Sequence, residues 1–206
     1  MVHPDYRLAV MLIVNASAFS IEKVSIEERR TKNITRKNIM YQYRDGSEGK
    51  ENLRIALDAG NSVICTGIFD EKFGDSPTGR YETTLLLDDG NPSHMELYGA
   101  LDKVFDMILE KETGKEVVEP VDLSQDGTKC KVFCKMVESR DAIRTRVYDG
   151  KKNDIDVKSM GRSLVRPSLQ ISYPMMGNSR INVRISVSEM LFVGQAGGSG
   201  YSLLES

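Results

Sequence analysis

The sequence predicts a mainly β fold of the α+β class, a curved sheet or barrel with one amphipathic helix packed across it. Three observations carry that expectation. Only the stretch from Pro92 to Gly114 spaces its apolar residues by three and four, while the segments on both sides alternate apolar and polar in short runs bounded by Gly, Asn and Asp. The chain has 206 residues, 40% of them hydrophobic, which is enough to bury a core without covalent staples. We expect one β-rich domain over residues 1–193, with its helix at about 93–113, and a flexible Gly/Ser-rich tail over 194–206.

The helix is marked at both ends. Ser93 followed by Glu96 forms a capping box, Leu97, Tyr98, Leu101, Val104, Phe105, Ile108 and Leu109 gather into one stripe, and Gly114 supplies the stop.

Taken in order, the chain begins with the apolar run Leu8–Val14 followed by Ala16-Ser17-Ala18, which reads as a buried strand or as a signal-like segment. Residues 20–37 carry Glu27, Glu28, Arg29, Arg30, Lys32, Arg36 and Lys37 and are expected to form a short polar helix or an exposed connection. Ile39, Tyr41 and Tyr43 then share one strand face, and Leu53, Ile55 and Leu57 another. Val63–Phe69 is apolar on both faces and reads as a central strand. Asp70–Gly79, rich in turn residues, reads as a loop or surface hairpin leading into a strand over Arg80–Asp88.

The second half concentrates positive charge. Between Lys129 and Arg184 there are thirteen Lys and Arg against five Asp and Glu, an excess of +8 in a chain of net charge -2, so the remainder carries -10. In Lys129–Met136, alternation sends Cys130, Val132, Cys134 and Met136 inward and Lys129, Lys131, Phe133 and Lys135 outward. In Ile143–Tyr148 the same rule groups Arg144, Arg146 and Tyr148. Arg180–Ser188 alternates without a break, with Arg180 and Arg184 outward, and pairs with Ser168–Tyr173 through a turn at Gly177-Asn178.

Several chemistries lack their signatures. There is no phosphate-binding glycine loop, HExxH motif or GxSxG elbow, so no enzyme and no cofactor is expected; a metal-dependent nuclease built on Asp70, Glu71 and Asp75 is a third-rank reading. Cys65, Cys130 and Cys134 are odd in number and form no CxxC pair, which points to core residues in an intracellular, reducing compartment. No run approaches the ~20 apolar residues of a membrane-spanning helix, so no membrane partner is expected.

Basic side chains interleaved with rings are what a single-stranded nucleic acid requires: cations track phosphates and flat rings stack bases, at roughly 1 to 3 kcal/mol per base. Lys129, Lys131, Phe133, Lys135, Arg144, Arg146, Tyr148, Arg180 and Arg184 are the candidate interface. Arg162 and Arg166 would extend it, and Tyr41 and Tyr43 are second-rank stacking residues. The alternative is a set of solvated strand faces with Phe133 and Tyr148 tucked under the helix.

The helix Ser93-His-Met-Glu-Leu-Tyr-Gly-Ala-Leu-Asp-Lys-Val-Phe105, followed by the strand pair Arg166–Tyr173 and Arg180–Val187, resembles the single-stranded DNA-binding proteins of poxviruses and other large cytoplasmic DNA viruses. The likeness spans roughly residues 80–193 and lies in order and pattern. It implies an oligonucleotide-binding (OB-like) barrel, no catalysis, cooperative coating of exposed strands, self-association and contact with replication proteins, in host cytoplasm or a viral factory. The acidic tail common in proteins of this functional type is absent here, since residues 194–206 carry only Glu205. The expected function is therefore single-stranded nucleic-acid binding, with DNA favoured, in replication, recombination or repair. The rival is an assembly protein, such as a minor component of a virus particle, in which the basic face meets the acidic region Glu82–Asp126 of a neighbouring copy.

Overall fold

The structure is a computed structural model and describes residues 12–31, 34–45, 49–73, 76–124, 126, 128–139, 142–174 and 180–196. In chain order the strands are β1 (Val14–Asn15), the hairpin β2 (Val24–Thr31) and β3 (Ile34–Gln42), β4 (Lys50–Asn52), β5 (Arg54–Ala56), β6 (Val63–Cys65), β7 (Phe69–Phe73) and β8 (Ser76–Asp88). Helix α1 (Pro92–Lys111) follows. After it come β9 (Glu116–Val118), β10 (Val121–Leu123), β11 (Lys129–Met136), β12 (Glu138–Ser139), β13 (Ala142–Ile143), β14 (Arg146–Tyr148), β15 (Ser163–Pro174), β16 (Arg180–Asn182) and β17 (Arg184–Gln195).

Five of these strands close on themselves. β6 pairs with β8, β8 with β11, β11 with β17, β17 with β15, and β15 returns to β6; only the β11–β17 ladder within this ring is parallel. The mainly β architecture, an OB-like closed barrel with one helix, is thus as the sequence predicts. Strand alternation fills its interior with Val63, Cys65, Leu85, Leu87, Val132, Cys134, Val165, Leu169, Ile171, Ile185, Val187 and Met190, all buried. The long β15 organises the rest, since its second edge serves β3, β5 and β6 in succession.

Helix α1 packs Leu97, Leu101, Val104, Phe105 and Ile108 into this core as the spacing predicts, with Tyr98 partly buried at its border. Leu109, expected in the same stripe, instead faces solvent at 52% exposure, because the core ends beside Ile108. Its cap is not the expected Ser93. Asn91 occupies that position, its Oδ1 accepting from the Ser93 N–H at 3.1 Å, because Pro92 already has the fixed φ of a first helical residue and starts the helix earlier. His94 then ties the helix to the barrel. Its Nδ1 accepts from the Asp88 N–H at 3.1 Å, so Nε2 donates to the Ser62 carbonyl at 2.9 Å, bridging the end of β8 to the start of β6.

The structure departs from the expected elements in several places. Residues 24–31 and 34–37 are strand, not polar helix, because Val24 and Ile26 pack on the core opposite Tyr41 and Ile39, and Glu28 lies opposite Lys37. Those cross-strand neighbours are invisible to a linear reading of charge. Val63–Phe69 is not one strand: Gly67, at φ +120°, breaks it into β6 and β7, and β7 folds back on β8 as a hairpin. Arg180–Ser188 breaks at Val183, whose N–H turns to the Val118 carbonyl, so that β16 pairs with β9 while β17 pairs with β15 as expected. Gly194 and Gln195, read as tail, are ladder partners of Leu164 and Ser163. Val14 is a buried strand residue, whereas the rest of the signal-like run up to residue 11 and the Gly177-Asn178 turn lie outside the described residues.

One charge is held inside. Glu112 caps the C-terminus of α1, is 5% exposed, and accepts from Lys37 of β3, from Lys115 at 2.7 Å and from the Tyr173 hydroxyl of β15 at 3.2 Å. Burial works against its ionisation, but the hydrogen bonds from Lys115 and Lys37 prevail and hold its carboxyl below the usual range. Burial and the neighbouring Glu112 charge push the Tyr173 hydroxyl up.

We predict that Glu112→Ala, which strands Lys37, Lys115 and Tyr173 together, costs about 3 kcal/mol in urea denaturation at neutral pH. Because the folded carboxyl is lowered, its contribution is complete above the unfolded carboxylate value and fades as the pH falls through the folded one. Glu112→Gln should remove that part of the acid-side slope.

Candidate nucleic-acid interface

The outward faces of the barrel strands line up in rows. One row crosses Phe69 of β7, Glu82 of β8, Lys135 of β11, Ser186 of β17 and Gln170 of β15, each the ladder partner of the next. The adjacent row holds Thr84 and its partner Phe133, then Arg184 and its partner Ser172. Phe133 and Arg184 immediately precede the paired, buried Cys134 and Ile185, so both turn outward. A third row holds Ile64, Leu86, Lys131 and Asp122. Phe133 is 46% exposed, so it is not tucked under the helix.

The lysines of β11 are matched by acids of the same chain. Lys135 Nζ meets Glu82 at 2.6 Å, Lys131 Nζ lies 3.8 Å from Asp122, and Lys129 is in register with Asp88. Within the chain, then, Lys131 and Lys135 already pair with acids of the region 82–126. Both ion pairs are about one-third exposed or more on each partner. Such pairs are worth about 0 to 1 kcal/mol and exchange readily for another anion.

Arg144, Arg146 and Tyr148 lie end to end with β11, not beside it. β11 occupies the β17 edge at 185–187 and β14 occupies the same edge at 189–191. Between them the chain leaves at Val137, forms the small hairpin β12–β13 and returns at Arg144, whose N–H donates to the Val137 carbonyl. Thr145 closes this detour: its buried hydroxyl accepts from the Val137 N–H at 2.8 Å and donates to the Val187 carbonyl. Beyond it, Arg146 donates to Asp154 at 2.6 Å and its guanidinium sits 5.6 Å from the centroid of Tyr148. One face of the half-buried Tyr148 ring is thus covered by its own neighbour.

Other candidates fall elsewhere. Arg180 lies on β16, 3.7 Å from Glu116, in a separate two-stranded sheet. Arg166 donates to the Leu57 carbonyl at 2.7 Å, and the Arg162 Nε is buried; neither extends the row. Tyr41 is buried and stacked on Phe19, and the partly buried Tyr43 packs against the core with its hydroxyl accepting from the Arg54 N–H at 2.9 Å, because their face is the one that Ile39 carries inward. The three cysteines are buried thiols, Cys130 pushed up to about 11 by burial and by Asp122. Of the acidic loop, Asp70 and the backbone of Glu71 belong to β7, and Asp75 lies outside the described residues. The linear pattern did not single out Phe69, which is 53% exposed; in an apolar run that looked buried on both faces, only its pairing with Glu82 reveals its side.

Thr145→Val keeps the shape of the side chain but leaves the Val137 N–H and Val187 carbonyl without that hydroxyl. It should cost about 1 to 3 kcal/mol in chemical denaturation, where an ordinary surface threonine would cost far less.

No family model matches the chain, and no curated protein matches it. Among solved structures it is similar to gp2.5, a single-stranded DNA-binding protein encoded by bacteriophage T7, with a TM-score of 0.44 at 14% identity over 69% of this chain and 92% of that one. It is also similar to the single-stranded DNA-binding protein from bacteriophage Enc34, with a TM-score of 0.43 at 12% identity over 89% of this chain and 96% of that one. Neither is a poxvirus protein.

Proposed function

We propose that this chain is a non-enzymatic single-stranded nucleic-acid-binding protein, with DNA the expected strand, working in replication, recombination or repair. The observation that carries the reading is Phe133: a large ring left open to solvent in the middle of a barrel strand, next to Arg184 and between Lys131 and Lys135. An apolar ring exposed there offers a base a flat face beside cations that meet its phosphates. The binding group is Phe133, Arg184, Lys129, Lys131 and Lys135, with Arg144 beyond the hairpin. Arg180, on the separate β9–β16 sheet, and Arg146 and Tyr148, placed against each other on β14, stand outside it. The three buried, unpaired thiols support a reducing compartment for this activity.

The test is fluorescence anisotropy with a labelled oligonucleotide of about 30 bases, single-stranded against duplex, over a salt series. The single strand should be preferred, with affinity falling as salt rises. Phe133→Ala should weaken it about tenfold while the circular dichroism spectrum is unchanged. Equal affinity for duplex, or an unchanged Phe133→Ala variant, would overturn the assignment and leave the face as a protein contact.

Glu82→Gln gives a change of opposite sign. Removing the Glu82 carboxylate takes one negative charge from beside Lys135, so binding at low salt should tighten about threefold, and the gain should vanish at high salt.

A further inference from the structure

Two exposed phenylalanines share the outer face of the barrel. Phe69 on β7 is the ladder partner of Glu82, whose own partner is Lys135; Phe133 on β11 is the partner of Thr84, two residues along β8 from Glu82. Two strand spacings of ~4.8 Å and two residues of ~3.4 Å separate their Cα atoms by roughly 12 Å along a diagonal. The ring of Phe69 is also seated. A Cβ on Gly67 would lie 3.3 Å from Phe69 Cζ, so the missing side chain makes room for the ring. Gly67 itself is pinned by its carbonyl, which accepts from the buried Thr83 hydroxyl at 2.7 Å. A ring held at its edge and 53% exposed is a presented surface, unlike a side chain swinging in solvent.

We infer that Phe69 is a second base-stacking residue and that the bound strand crosses the sheet, from Arg184 and Phe133 on the β17–β11 side to Phe69 on β7. The inference rests on the function proposed above and adds the direction of the path. The other course would follow β11 towards β14, where the next ring, Tyr148, lies under Arg146. Across the strands, by contrast, Arg184, Phe133, Lys135 and Phe69 follow one another within adjacent rows. Rings roughly 12 Å apart cannot hold neighbouring bases at the ~3.4 Å spacing of a stacked duplex strand, so they take bases that are already splayed, and a duplex cannot satisfy both.

The chain contains no tryptophan, so Phe69→Trp makes a single reporter at this position. Titrated with an oligothymidylate of about 30 bases, Phe69→Trp should lose emission in step with the anisotropy change. Phe69→Ala should bind about tenfold more weakly than the unaltered chain. Leu109→Ala, which removes a side chain of similar exposure from the helix, should bind normally. If the unaltered chain and Phe133→Trp respond to the oligonucleotide while Phe69→Trp shows no quenching and Phe69→Ala binds normally, the crossing path is wrong and the function stands. If the unaltered chain does not bind at all, the function falls and the path with it. Quenching of Phe69→Trp that depends on protein concentration, without oligonucleotide, would assign the ring to contact between copies and overturn the inference.

Discussion

The parallel ladder between β11 and β17 closes the barrel, and nearly everything on its surface follows from that closure. A parallel pair needs a long crossover, here the chain from Val137 to Val183, and within that crossover lie β14, β15 and the small hairpin β12–β13. Closure fixes which side of each strand is inside. Once Cys134 and Ile185 meet in the interior, Phe133 and Arg184 have nowhere to point but outward. Thr145 maintains the arrangement where the ladder changes from β11 to β14, supplying by side chain what the interrupted backbone cannot.

The outer face is nearly balanced in charge, which sets how it would work. A bare row of lysines would repel itself and would bind any polyanion, duplex or single strand. With Glu82 and Asp122 beside Lys135 and Lys131, the lysines are held in place at little net energy, and a phosphate must displace a carboxylate to reach them. On the proposed function, selectivity would then fall to the rings, which reward only unpaired bases.

The helix contributes by anchoring the ends of strands that the barrel alone leaves loose. His94 joins β6 to β8 at one end of α1, and Glu112 joins β3 and β15 at the other. Both are polar groups in apolar surroundings, tolerable because each finds partners for its hydrogen-bonding atoms.

The sequence by itself determined the class of fold, the helix and the inward and outward faces of individual strands, since periods of two and of three to four are local properties of the backbone. Cys130 to Met136 and Ile185 to Val187 could be placed this way, and so could the outward Lys131, Phe133 and Lys135. What only the tertiary structure decided was who stands beside whom. The partner of Lys135 is 53 residues away at Glu82, and Phe69 joins the face only through a ladder with β8. Arg146 and Tyr148 share the edge of β17 with β11 without touching its lysines' row. Alternation says that a side chain faces one side or the other. Which side is wet depends on what the rest of the chain lays against it, and that is set by long-range pairing.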